Sequence, residues 1–349
     1  MNKVFKVIWN HATQTWTAVS ELGHAKGKTK SKKVAVMTLS AVAGAVIGTV
    51  SLTQDAMAAA DLTTNDAVNI APNGVPNPTA GLHAVAVGAK AQASHQDSIA
   101  IGSNSTANWT NTISIGKDTV ANKDHAVAIG SNATATGIQA VTLGSYANAD
   151  ANSSISLGQE AKVKGEGSTA AVALGYKAEA SAANTVATGM SSKASVDNAV
   201  AVGVKSNASA RAASALGGYA EASAERATAV GAASKASGTA SFAGGTSANA
   251  SGANAIAIGG AMEAAKAAQA IGNYSIAQGY NATSQKQSDI AIGTNAAANG
   301  TDTPAGSSTG ENAGTAISIG ANSVATGIAT TALGQAAKAT QNGAVAIGS

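Results

Sequence analysis

The chain has 349 residues, with no cysteine, 39 glycines, 3% aromatic and 11% charged residues. So few large apolar side chains exclude one conventional globular core of this length, and the lack of thiols excludes a disulfide framework or a thiolate metal site. The formal charge of +3 belongs to the first segment: Lys3, Lys6, Lys26, Lys28, Lys30, Lys32 and Lys33 precede residue 34, and the remainder carries 14 basic against 16 acidic residues once Glu21 and Asp55 are set aside, so no nucleic-acid partner is implied.

Residues 1–58 read as an extended signal peptide. Lys26 to Lys33 form a basic region, Val34 to Gln54 is uncharged and mostly apolar, and Ala56-Met57-Ala58 is a small-x-small site, which places cleavage between Ala58 and Ala59. The apolar stretch is long enough to span a membrane, but Gly44 and Gly48 weaken it as a helix. Residues 59–82 form a lead-in that holds Pro72, Pro76 and Pro78, where no strand ladder loses an N–H.

From residue 83 to 349 one phrase recurs: small, aliphatic, small, aliphatic, glycine. It reads Ala84-Val85-Ala86-Val87-Gly88, Ser98-Ile99-Ala100-Ile101-Gly102, Thr112-Ile113-Ser114-Ile115-Gly116 and Ala126-Val127-Ala128-Ile129-Gly130. The closing glycine returns at 88, 102, 116, 130, 144 and 158, slips to 175, runs to 259 in steps of 14, and is read again at 272, 279, 293, 320, 334 and 348. A fixed short period means a solenoid whose units must stack to bury anything. Each phrase predicts a short strand ending in a turn, and a second alternation at Gly+3 and Gly+5, such as Ala133/Ala135, predicts a second strand with one polar face. A coil of 14 residues does not fit the 18-residue coil of a hexapeptide β-helix.

The first strand lacks a strongly polar face. One 14-residue coil has a single interior, lined mainly by alanine, so the other apolar face, Val85, Val87, Ile99, Ile101, Ile113, Ile115, Val127 and Ile129, is expected to lie against another chain.

No residues are expected to be catalytic, to bind a cofactor or to hold a metal. Gly306-Ser307-Ser308-Thr309-Gly310 matches a nucleophile elbow, but no histidine follows it in the chain. His83 and His125 share a register three coils apart, about 14 Å at the strand spacing, too far to share a metal. Tyr146, Tyr176, Tyr219, Tyr274 and Tyr280 each follow a repeat glycine by one or two residues. They are candidate ligand contacts, or else covers that lock the turns. The irregular segments 160–170 and 295–314 are the other candidates, since insertions in a solenoid emerge on its surface.

The N-terminal segment, Met1 to Asn10 followed by Thr15-Trp16-Thr17-Ala18-Val19-Ser20-Glu21-Leu22, resembles the extended signal peptide of type V secretion passengers. The repeats resemble the head of YadA-like trimeric autotransporter adhesins. The resemblance implies an all-β, left-handed parallel β-roll of 14-residue coils in a homotrimer, export through the Sec translocon, and display on the outer membrane of a Gram-negative bacterium. It also implies attachment to host cells or extracellular matrix by avid contacts, and a C-terminal stalk and membrane anchor absent from these 349 residues. Two rival expectations are a non-adhesive structural solenoid and a polysaccharide-active β-solenoid enzyme, the latter requiring clustered carboxylates on one face.

Overall fold

The computed structural model describes residues 5–10, 15–20, 61–62, 67–71, 76–165, 169–300 and 315–349. The chain divides into two units, Met1–Gln54 and Asp55–Ser349. In the first, Phe5–Asn10 pairs antiparallel with Thr15–Ser20, Trp9 opposite Trp16. Ala58 and Ala59 lie outside the described residues.

The second unit is a stack of coils, each a three-residue strand, a turn, a two-residue strand and a second turn. Val127–Ile129 pairs in parallel with Ile113–Ile115 and Val141–Leu143, residue 127 facing 113 and 141. Thr134–Ala135 pairs likewise with Val120–Ala121 and Asn148–Ala149. Repeating these steps builds two parallel sheets back to back. The small residues of both strands point inward: Ala126, Ala128, Ala133 and Ala135 are fully buried. The interior accommodates little more than methyl groups, so alanine dominates it and Val163 is its largest fully buried apolar side chain. Where serine or threonine replaces alanine, the hydroxyl is commonly bonded within the roll: Ser105 Oγ donates to the Ser114 carbonyl (2.8 Å), Ser114 Oγ to that of Thr119 (3.0 Å) and Thr142 Oγ1 to that of Thr134 (3.0 Å).

The closing glycines are required twice over. Gly203 has φ +132°, a region closed to side chains, and an added Cβ would lie 2.5 Å from the carbonyl of Gly217 in the next coil. The turns also show a regularity hidden in the sequence, a left-handed residue at every seventh position: Asn104, Asn111, Asp118, His125, Asn132, Gln139 and Tyr146 all have φ between 54° and 60°. In backbone terms a coil is therefore two similar halves. A non-glycine residue in that region costs about 1–2 kcal/mol, and ladders between coils offset part of it. Asn104 Nδ2 donates to Asp118 Oδ1 (2.8 Å), Asn281 Nδ2 to Asn295 Oδ1 (3.0 Å) and Asn295 Nδ2 to Asn322 Oδ1 (2.9 Å).

Two features depart from the sequence reading. Val68–Ile70 and Thr79–Ala80 already pair with the two strands of the first full coil, and Asp61–Leu62 runs antiparallel along Val68–Asn69. Gly272 does not close a first strand. It follows Gln269–Ala270, a second-type strand paired with Asn249–Ala250, and so lies in the opposite turn. The true interruption is the segment between Gly259 and Gln269, which carries a 3-10 turn at Ala264–Lys266. The interval alone does not identify the turn, because glycine also serves the second turn at Gly137, Gly238 and Gly252, where an added Cβ would meet the next coil's backbone at 2.0 Å or less.

Candidate binding surface

The aliphatic residues of the first strands form a continuous outward stripe. Val85, Ile99, Ile113 and Val127 stack in one column, and Val87, Ile101, Ile115 and Ile129 in the next. All eight are half-buried on the single chain except Ile101, which is exposed, as Leu143, Leu157 and Ile258 are further along, at 39–43%. The opposite sheet turns Thr134, Asn148, Lys162 and Glu179 outward.

The five tyrosines divide between the two turn edges. Tyr146 and Tyr219 occupy left-handed positions of the glycine turn, φ 57° and 59°, and each is nearly 60% exposed. Tyr176 and Tyr280 stand one residue earlier in the same turn. Tyr274 lies on the other edge, because Gly272 does. Lys177 Nζ sits 5.0 Å from the Tyr176 ring centroid and Lys205 Nζ 5.3 Å from that of Tyr219. Tyr176 and the nearby Glu160 hold the Lys177 ammonium above its usual pKa. Tyr146, Glu160 and Lys162 line a groove of about 370 Å³.

A second groove, of about 580 Å³, is lined by Lys123, Thr136, Ile138, Asp150, Asn152 and Gly165 on the second-turn side. One column explains it. His95, Trp109 and Lys123 stand above one another, with the His95 and Trp109 rings parallel at 5.9 Å and the Lys123 ammonium 5.3 Å from the Trp109 centroid. The next places fall to Gly137, Ala151 and Gly165, and the wall drops away. Thr136 Oγ1 donates to Asp150 Oδ1 (2.9 Å) and the Ile138 N–H to Asn152 Oδ1 (2.8 Å) along this groove. The 14-residue spacing of 95, 109 and 123 is the available signal in the sequence. It is easily passed over, because the three residues share no type.

Both irregular segments leave from the second turn. The extra residues near 165 follow Lys162–Val163, whose pairing with Glu179–Ala180 is intact. The longer insertion follows Ala297–Asn299, which pairs onward to Val324–Thr326. Residues 166–168 and 301–314 lie outside the described residues. The feet of the longer insertion are tied by Asp289, a carboxylate at an interior place where other coils have alanine, serine or threonine. Asp289 Oδ2 accepts from the N–H of Lys286 (2.9 Å) and of Gly300 (3.1 Å), and Oδ1 accepts from that of Ala316 (2.9 Å). Burial pushes the Asp289 carboxyl above its ordinary value near 3.8, against the pull of these donors. Between pH 3.8 and the raised pKa the folded form therefore holds a proton that the unfolded form has released, so the group's contribution to stability is greatest below pH 3.8 and declines as pH rises through the raised pKa. Asp289→Ala is expected to remove that decline and, by orphaning buried N–H groups, to cost about 1–3 kcal/mol. Chemical denaturation of both proteins between about pH 3 and 8 checks both effects.

Two family models match the chain. A model of the extended signal peptide of type V secretion systems matches residues 1–49. The YadA head domain repeat matches residues 80–105, 110–133, 135–192, 194–220, 222–261, 270–303 and 325–349, most of the chain. The chain belongs to the YadA head-repeat family. The two longest gaps between matched blocks, 262–269 and 304–324, include the interruption after Gly259 and most of the long insertion. This YadA-like chain is an adhesin displayed on the outer membrane of a Gram-negative bacterium after export. Among solved structures, the collagen-binding domain of the Yersinia adhesin YadA is similar at 22% identity, over 53% of this chain and 68% of that one, with a TM-score of 0.17. A search of curated protein sequences gives no match.

Proposed function

We infer that this chain is the head of a homotrimeric adhesin that attaches the bacterium to host cells or extracellular matrix without a catalytic step. Three copies of a left-handed roll close around Val85, Val87, Ile99, Ile101, Ile113, Ile115, Val127, Ile129 and their successors. The observation that carries this reading is the aliphatic stripe left open along the first-strand sheet, since a face of this kind on a stable surface protein needs a cover. Residues 1–58 act as the extended signal peptide, removed between Ala58 and Ala59 after the Sec translocon is engaged, and the repeats that follow residue 83 are led in by 59–82, whose Val68–Ile70 and Thr79–Ala80 already pair onto the first full coil. The turn edges, with Tyr146, Tyr176, Tyr219, Tyr274 and Tyr280, supply shallow contacts that repeat on three chains and sum by avidity.

Whole-coil deletion tests this. Removing residues 189–202 restores the 14-residue register and is expected to weaken binding to a panel of matrix proteins and host cells only gradually. Removing 196–202 keeps small residues inside, because the halves of a coil are equivalent, but it exchanges the two outward faces and puts residues with a Cβ onto glycine's φ. Loss of trimer and of binding is expected for the shorter deletion. A point substitution that abolishes binding while the trimer persists would replace avid contacts with one discrete pocket.

A further inference from the structure

The first-strand sheet turns two columns outward, and the column at the last residue of each strand is the more exposed on the single chain. Beyond the middle of the stack it reads Val230, Gly244, Ile258, Gln278, Ile292 and Ile319, each paired in register with the next. From Val85 onward, no outward position of either column in the described first strands holds Asp, Glu, Lys or Arg, whereas the opposite sheet turns Lys162, Glu179 and Lys193 outward. A face that meets its own copies in parallel excludes charge, because each charge would meet its own sign.

An unbroken aliphatic stripe does not fix the height at which parallel copies stand. Slipped by one coil, about 4.8 Å, valine and isoleucine still meet valine and isoleucine. Gln278 breaks that equivalence. It is the one amide at an outward position of the described first strands, it is exposed, and its side chain makes no hydrogen bond among the described residues. Two coils earlier lies a break of shape: Gly244 is the one glycine within these strands, and the Phe242 ring covers it, with Cε1 2.8 Å from where a Cβ would stand.

We propose that Gln278 is the axial register pin of the assembled head: the three Gln278 amides meet at one height and hydrogen-bond one another, while Phe242 and Gly244 match by shape two coils away. An amide carries both donor and acceptor, so it complements its own copy. A copy slipped by one coil would bury it against Ile258 or Ile292 with no partner, and the unmade bond counts against that alignment. A single polar residue in an apolar seam specifies register in coiled coils for the same reason. The proposal rests on the homotrimer reading and adds to it which residues of the copies meet.

The test co-expresses two differently tagged copies of the chain that remains once residues 1–58 are removed, and counts the assemblies that carry both tags. Two wild-type copies give the reference fraction. Q278I/I292Q moves the amide one coil along, so its own three copies still match. A mixed assembly in register leaves at least one amide alone among isoleucines, and a one-coil slip that realigned the amides would set Phe242 against Ile256 of a neighbour. Mixed assemblies are therefore expected about tenfold below the reference, while Q278I/I292Q alone sediments as a trimer. Gln278→Glu, close to glutamine in shape, sets three carboxylates together and is expected to dissociate on dilution where wild type does not. Mixing at the reference fraction, or Q278E assemblies as stable as wild type, overturns the proposal. So does a Q278I/I292Q chain that fails to trimerise, because its amides meet by the same argument. Wild-type chains that sediment as folded monomers would instead overturn the trimer reading itself.

Discussion

Ile129→Asp is expected to destroy the assembled head, whereas Thr134→Asp, five residues on in the same coil, leaves it intact. Both side chains point outward, but from different sheets. Ile129 stands in the aliphatic column between Ile115 and Leu143. Thr134 stands between Val120 and Asn148 on the sheet that faces water. In the proposed trimer a carboxylate at 129 would be enclosed between chains, and an unpaired buried charge costs about 3–5 kcal/mol, incurred once per chain. At 134 it stays solvated, and surface changes of that kind fall within about 0.5 kcal/mol. Thermal melting of the two variants decides the matter, since equal melting temperatures would mean that the faces have been assigned the wrong way round.

Gly203→Val is expected to be comparably damaging for a reason internal to one chain. The position has φ +132°, and a Cβ there would lie 2.5 Å from backbone atoms of Gly217. Neither atom belongs to a flexible side chain that can give way, so the two coils must separate. Strain of this class costs about 1–3 kcal/mol before the lost packing is added. Gly218→Ala, fifteen residues along, is the matched control: an added Cβ there meets only a carbonyl at 3.8 Å. Limited proteolysis should cut the Gly203 variant near the separated coils and leave the Gly218 variant as resistant as wild type.

What the sequence made legible was whatever is written in side-chain size. The alternation of small and aliphatic residues identified both strands, the alanine-lined interior at Ala126, Ala128, Ala133 and Ala135, and the apolar face left without cover. What stayed hidden is written in the backbone. The seven-residue recurrence of left-handed residues is occupied by Asn104, His125, Gln139, Tyr146 and Ala212 alike, so no residue type announces it. Gly272 was misplaced for the same reason, since glycine serves both turns and only strand pairing tells them apart. Surface features that depend on three or more coils at once were also beyond a coil-by-coil reading. The His95, Trp109 and Lys123 column and the break at Gln278 in the outward aliphatic column belong to this class. Asp289 looked like one more acid until the insertion's feet at Gly300 and Ala316 were brought to it.

The most direct test of the central claim is the mass of the chain in solution once residues 1–58 are removed. The aliphatic stripe of the first-strand sheet requires a cover, and burying each valine or isoleucine of it is worth about 1.5–3 kcal/mol. Sedimentation equilibrium at micromolar concentration should therefore give three times the chain mass, with no folded monomer on dilution before the β-signal in circular dichroism is lost. A soluble, folded monomer that keeps that signal would contradict the account, because the stripe would then be stable in water.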